Sequence, residues 1–258
     1  MSEVLLTFED RPAGRIAHVT LNRPELRNAI TIALGRGLHD ALRRAAEAAD
    51  VVVIRGAGGN FSAGGDLGEV SALRAQGIEA MRPLFDSWVA ACELIATLPV
   101  PVVAAVEGYA LAGGFELLSS VDVCLVRDDA VLADNHVNFG ILPSAGGSQR
   151  LPRLVGLPRA LGHVLTGERI TGKQAEQWGL VYRSVPAEEF EAALLALVDR
   201  LAAKDRLTLA TTKHLVRTGL SGSLQDGLAM EVEATLAHLA GQDAAAEGIA
   251  AFTTRGSS

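Results

Sequence analysis

Two uninterrupted apolar runs, Val51-Val52-Val53-Ile54 and Val102-Val103-Ala104-Ala105-Val106, are each followed by a glycine-bearing turn. Runs of this kind leave no polar face for water, so they read as strands buried within a sheet rather than as half-exposed ones. The pattern around them is helical. Thr31 caps a predicted helix that reaches about Ala49, with Ile30, Leu34, Leu38 and Leu42 at helical spacing. A second helical region covers Gly77–Leu98 and is closed by Pro99 and Pro101. Val4–Phe8 and Ile16–Leu21 read as a β-hairpin about the turn-rich Asp10–Gly14 segment, and Val121–Val126 reads as a third core strand.

After Pro143 the pattern is helical apart from a short Val181–Val185 strand, and from about Phe190 to Phe252 apolar residues keep helical spacing with breaks at Gly219, Gly222 and Gly241. The stripe Leu194, Leu197, Val198, Leu201 reads as helix packing. Strands alternating with helices, then helices alone, predict an α/β core over residues 1–195 and a helical region over 196–258. No Pro/Gly/Ser-rich linker separates them, so the terminal helices must pack on the core or on a neighbouring subunit. The segment Gly68–Met81 carries little signal in either direction.

The 258 residues hold 23 Lys plus Arg against 30 Asp plus Glu, a formal charge of −7. That balance argues against nucleic acid as the main partner, because phosphate binding needs a basic surface. Cys92 and Cys124 are the two cysteines, without metal-type spacing, so neither a disulfide scaffold nor a zinc ribbon is expected. No secretory signal is evident at Met1–Leu6 and no apolar stretch is long enough for a membrane span. A cytoplasmic protein with no membrane association is the expectation.

The chemistry is expected at the two turns. The first, Phe61-Ser62-Ala63-Gly64-Gly65-Asp66, follows Val51–Ile54; the second, Gly108 to Glu116, follows Val102–Val106 and opens a helix at Gly113-Gly114. Glycine lets a backbone approach a ligand closely, and the first amides of a helix lack intrahelical acceptors. Two such turns on different strands could aim two N–H groups at one developing oxyanion. Each alone also fits a tight turn with no ligand. Neither carries a GxxxxGK[ST] or GxGxxG phosphate motif.

Together the blocks resemble the enoyl-CoA hydratase/isomerase (crotonase) family: Leu21-Asn22-Arg23-Pro24, Asn28-Ala29, Phe61–Asp66, Ala104–Ala110, Gly113-Gly114-Phe115-Glu116-Leu117, Pro143–Leu151, Leu165-Thr166-Gly167 and Ala175 to Val181, in order over nearly the whole chain. The resemblance implies a spiral of ββα units with C-terminal helices that form a homotrimer, often a dimer of trimers. It implies an acyl-CoA thioester as substrate, with no separate metal or redox cofactor. It further implies that the amides of Ala63 and Gly113 hold the thioester oxygen. Arg27, Ala29, Gly65, Asp66, Leu67 and Gly114 are implied as substrate- or CoA-binding positions. Arg23, Arg27 and Arg255 are candidates for CoA phosphates, since guanidinium suits phosphate.

Hydratases of that family use two glutamates. Glu116 occupies the first position by motif, although a carboxylate near a helix start also complements the helix dipole. The second position falls on His136, a departure from the family pattern. Histidine transfers protons near neutral pH, or it could be a hydrogen-bonded structural side chain. If Asp134–Asn138 is extended, Asp134 and His136 share a face and the carboxylate could orient the ring. Asp66 reads mainly as a turn-holding residue. His18, His39, His163, His214 and His238 read as surface or packing residues. The implied activity is enoyl-CoA hydration; isomerisation, thioester hydrolysis or decarboxylation on the same oxyanion hole are the alternatives that His136 raises, and binding without turnover is the reading of another class.

Overall fold

The structure, a computed structural model, describes residues 2–241 and 246. Its elements fall into an α/β unit and a helical one, the fold class expected from the sequence. The hairpin strands β1 (Val4–Arg11) and β2 (Gly14–Leu21) pair antiparallel along their whole length, so the reversal narrows to Pro12-Ala13. Helix α1 (Ile32–Ala48) starts at Thr31, whose hydroxyl accepts the Leu34 N–H at 3.0 Å. Strand β3 (Val51–Gly56) follows, then α2 (Leu67–Gln76) and α3 (Ile78–Thr97), then β4 (Val102–Val106). The short strand β5 (Tyr109–Leu111) leads into α4 (Gly113–Leu118), β6 (Val123–Arg127) and β7 (Val131–Ala133).

The chain continues through α5 (Gly147–Val155), α6 (Leu157–Thr166), β8 (Ile170–Thr171), α7 (Gly172–Gln177), β9 (Arg183–Val185) and α8 (Phe190–Ala202). The main sheet runs β1-β2-β3-β4-β6-β9, and every pair after the hairpin is parallel. A second sheet, β5-β7-β8, pairs parallel then antiparallel.

The central strands are buried on both faces, as their composition requires. Val52, Ile54, Val102, Ala104 and Val106 face one apolar cluster with Leu34, Leu38 and Leu42 of α1. Val51, Val53, Val103 and Ala105 face a second cluster with Phe190, Leu194 and Val198 of α8. The stripe on α8 is therefore core packing, as expected. Full burial of each such side chain contributes about 1.5–3 kcal/mol, so this two-sided burial anchors the turns that follow β3 and β4.

The first compact unit is Met1–Ala203 and the second is Lys204–Ser258. Helix α8 lies whole in the first, so the division falls at 203/204 and not at 195/196. In the second unit α9 (Arg206–Gly219) and α10 (Leu224–Gly241) pack on each other. Among the described residues no helix is long and apolar enough to cross a membrane.

Candidate active site

The two turns are sewn together by main-chain hydrogen bonds. Ser62 N–H donates to Tyr109 O (2.8 Å) and Leu111 N–H donates to Ser62 O (2.9 Å), bridging the first turn to β5. A Cβ at Gly64 would lie 2.8 Å from Ala112 Cβ, and one at Gly114 would lie 2.7 Å from Ser62 O. Only glycine permits that approach, and Gly64 also has φ +93°. Asn28, wholly buried, fixes the turn from the other side: its amide donates to Ala57 O and Asn60 O.

Main-chain direction along the first turn decides which amides are free. Ala63 N–H donates to Arg27 O at 2.9 Å, and Gly64 N–H donates to Ser62 Oγ at 3.2 Å. Gly65 lies in a parallel bridge to Ile30 made by its neighbours: Ile30 N–H donates to Gly64 O, and Asp66 N–H donates to Ile30 O. The Gly65 N–H therefore points away from that strand, and among the described residues nothing accepts it. The Gly113 N–H at the start of α4 is likewise without an acceptor among them. The expectation for Ala63 is thus overturned, since its N–H is already engaged; the open donor of the first turn is Gly65, two residues on.

Both glycines line a cavity of about 700 Å³ with mostly apolar walls, including Ile30, Met81, Leu84, Trp88 and Phe139. Ala29, Asp66 and Leu67 also line it. The indole N–H of Trp88 donates to Gly113 O at 3.3 Å and fixes one wall. Glu116 and His136 face the same cavity.

Glu116 is 1% exposed. Its Oε1 accepts the Ala145 N–H at 2.6 Å and the Gly147 N–H at 3.1 Å, which leaves Oε2 as the working oxygen. Burial holds its pKa above the usual carboxylate range, against the opposing pull of His136 and of those two amides. His136 Nε2 stands 3.9 Å from Glu116 Oε2, and Nδ1 stands 2.6 Å from Asp134 Oδ1. Asp134–Asn138 is not extended: β7 ends at Ala133 and a 3-10 turn spans His136–Phe139. The two side chains meet because the chain bends between them.

Several other positions differ from expectation. Gly114 packs against Ser62 and does not line the cavity, and Arg27 holds its guanidinium 5.1 Å from the Tyr109 ring centroid, also outside the lining. Arg23 is engaged within the chain by Asp66 (2.9 Å), Glu3 (3.3 Å) and Ala29 O (2.6 Å). Arg255 lies outside the described residues. Asp66 caps α2 by accepting from Gly68 and Glu69 N–H (3.0 and 3.1 Å), the turn-holding role expected of it. Burial would raise its pKa, but the Glu69 amide and Arg23 hold it below the ordinary value.

Sequence reasoning missed Trp88, Arg74, Asn135 and Arg169 in the lining. The first two lie on α2 and α3, where nothing in the local pattern marks a ligand-facing side. His163 is a packing residue as expected, stacked on Phe115 at 5.1 Å between ring centroids.

The sequence matches the family described as enoyl-CoA hydratase/isomerase over residues 11–258. It is 36% identical to the 2,3-dehydroadipyl-CoA hydratase of Escherichia coli (strain K12), with 98% of this chain and 96% of that one covered. An enoyl-CoA hydratase from Polaromonas sp. JS666 superposes with a TM-score of 0.91 at 31% identity, covering 98% and 97% of the two chains. A Thermobifida fusca YX protein of the same kind, solved in complex with acetoacetyl-CoA, superposes at 0.84 with 31% identity over 93% and 96%.

Proposed function

The chain belongs to the enoyl-CoA hydratase/isomerase family and is an acyl-CoA-processing enzyme, and from that premise we propose that it adds water across the double bond of a 2-enoyl-CoA, or removes it in reverse, on an oxyanion hole made by the Gly65 and Gly113 amides. The observation that carries the reading is the 3.9 Å gap between Glu116 Oε2 and His136 Nε2. A water oxygen at ordinary hydrogen-bond distance, about 2.8 Å, from each would sit at the apex of an angle of roughly 90°. One water is then held by both groups beside the cavity that takes the acyl chain.

Enoyl thioesters are polarised when their carbonyl oxygen accepts the two glycine N–H groups, and the negative charge that builds there as oxygen attacks Cβ is met without reorganisation. In the reacting state Glu116 Oε2 carries one proton and His136 Nε2 none. The carboxyl proton goes to Cα as Nε2 takes one from the water, and return of that proton to Glu116 restores the pair. The raised pKa of Glu116 suits this exchange, because a carboxyl that holds its proton nearer neutrality can also give it.

Coenzyme A arrives as part of the substrate and no separate cofactor enters the scheme. The free, buried thiols of Cys92 and Cys124 suit a cytoplasmic protein. A homotrimer, alone or as a dimer of trimers, is supported by the uncovered apolar side chains of α9 and α10.

Hydration of crotonyl-CoA by the purified protein tests the proposal. Glu116→Gln and His136→Gln are each expected to lower kcat about 10²–10⁴-fold. Equal rates in the Glu116→Gln and unaltered enzymes would remove Glu116 from the reaction. Replacement of the second family carboxylate by His136 favours one other reading, double-bond isomerisation, which needs a single base. Deuterium entering the acyl chain from D2O without net hydration would decide for it.

A further inference from the structure

We propose that Asp134 is a positioning residue that fixes the tautomer of His136, with the proton on Nδ1 and the Nε2 lone pair turned to the water site. This rests on the acid/base reading above. Asp134 is 0% exposed, its Oδ1 lies 2.6 Å from His136 Nδ1, and its Oδ2 has no partner among the described residues. A fully buried carboxylate is tolerated only when paired, and among the described residues the ring is its one side-chain partner. Nδ1 is the ring nitrogen that meets Asp134 Oδ1, and a carboxylate oxygen there accepts, so we place the proton between the two on Nδ1. Nε2 then reaches the water as an acceptor.

The neighbourhood is built around this pair. A Cβ at Gly147 would fall 2.0 Å from Asp134 Oδ2, so the absent side chain of Gly147 is what admits the carboxylate, while the N–H of Gly147 holds Glu116 Oε1. One glycine thus serves both acid/base groups. The Asp134 N–H donates to His163 Nε2 at 3.0 Å, which requires that nitrogen bare; burial lowers the His163 pKa and keeps it so. The titratable and charged groups around His136 are Asp134 at the end of β7, Glu116 on α4, His163 on α6 behind Asp134, Arg169 before β8 in the same cavity lining, and Arg150 on α5, which donates to Ala145 O.

Nitrogen-15 NMR of the intact wild-type enzyme reads the tautomer directly, with His136→Gln assigning the signal. The expected result for the neutral ring is an upfield, protonated Nδ1 and a far-downfield, bare Nε2. A neutral ring with its proton on Nε2 overturns the proposal even if hydration is observed. Conversely, a protonated Nδ1 in a protein that hydrates no enoyl-CoA sinks the functional reading and leaves the tautomer standing.

Asp134→Asn adds the kinetic arm. It is expected to lower kcat about 10²–10⁴-fold with KM within about threefold, since no substrate contact is lost. The limb of the pH profile that is missing in His136→Gln is expected to move to lower pH in Asp134→Asn, because imidazolium loses its anionic neighbour. A fall in kcat with that limb unmoved would make Asp134 a structural residue only.

Discussion

Glu116 carries two costs that a residue chosen for stability would not. It is a carboxylate at 1% exposure, and its working oxygen faces a cavity and not a cation at bonding distance. Its pKa is raised by burial, so the folded state binds its proton more tightly than the unfolded chain does. The contribution to stability is therefore full below the unfolded pKa, near 4.5, and is lost as pH rises through the folded one. Glu116→Gln keeps an oxygen for the Ala145 and Gly147 amides and removes the charge. It is expected to be the more stable protein at pH 7, by about 1 kcal/mol or 2–4 °C in Tm, and to lose that margin below about pH 4. Thermal scans at the two pH values check this; an equal or lower Tm at pH 7 would show that burial does not dominate. The oxyanion assignment is checked at the same scale. In a structure with bound acyl-CoA the thioester oxygen is expected 2.7–3.1 Å from the nitrogens of Gly65 and Gly113. An oxygen bonded instead by Ala63 would mean that the Arg27 contact opens on binding.

At the scale of elements, the site depends on two turns pressed together by missing side chains, and substitutions there separate strain from fit. Gly59 and Gly64 both have positive φ, +71° and +93°. A Cβ on Gly59 meets nothing within 4 Å, whereas on Gly64 it meets Ala112 Cβ at 2.8 Å and Leu111 O at 3.0 Å. Gly59→Ala is expected to cost about 1 kcal/mol of stability through backbone strain alone, with kcat/KM near wild type. Gly64→Ala is expected to cost about 2–4 kcal/mol and to lower kcat/KM at least tenfold, because Gly65 and Gly113 are pushed apart. Denaturant titration with kinetics on both variants decides it, and equal losses would mean the close approach is unimportant. What was legible in the sequence follows the same division. The strands β3 and β4 could be read because both faces are buried and their composition says so. Strands β5, β7 and β8 could not, since each has two or three residues and is defined by its partner. Helix α2 buries no residue, so its sequence carried no periodicity to find. The motif located the first turn, but which of its amides is free depends on the alternation of peptide direction between Ile30 and β5, and residue types do not encode that choice.

For the whole molecule, the second unit poses the open question. Leu224, Leu228, Val232 and Leu236 follow one another at four-residue spacing along α10, each more than half exposed, and Val216 and Leu220 of α9 are exposed as well. Residues four apart share a helix face, so α10 carries a continuous apolar stripe. Scattered surface leucines need no explanation, but a stripe of this length marks an interaction surface. If three copies cover it, the particle in solution has a mass of about 81 kDa, three times 26.9 kDa, or about 161 kDa for six. Leu228→Glu combined with Val232→Glu would place two carboxylates in the covered face, at a cost that a pair of leucine-sized contacts does not offset. The double variant is expected to run near 27 kDa in light scattering, and its Tm is expected to lose the dependence on protein concentration that the assembled form shows. A wild-type protein that stays near 27 kDa at every concentration while turning over substrate would rule the assembly out, and with it the explanation of the stripe.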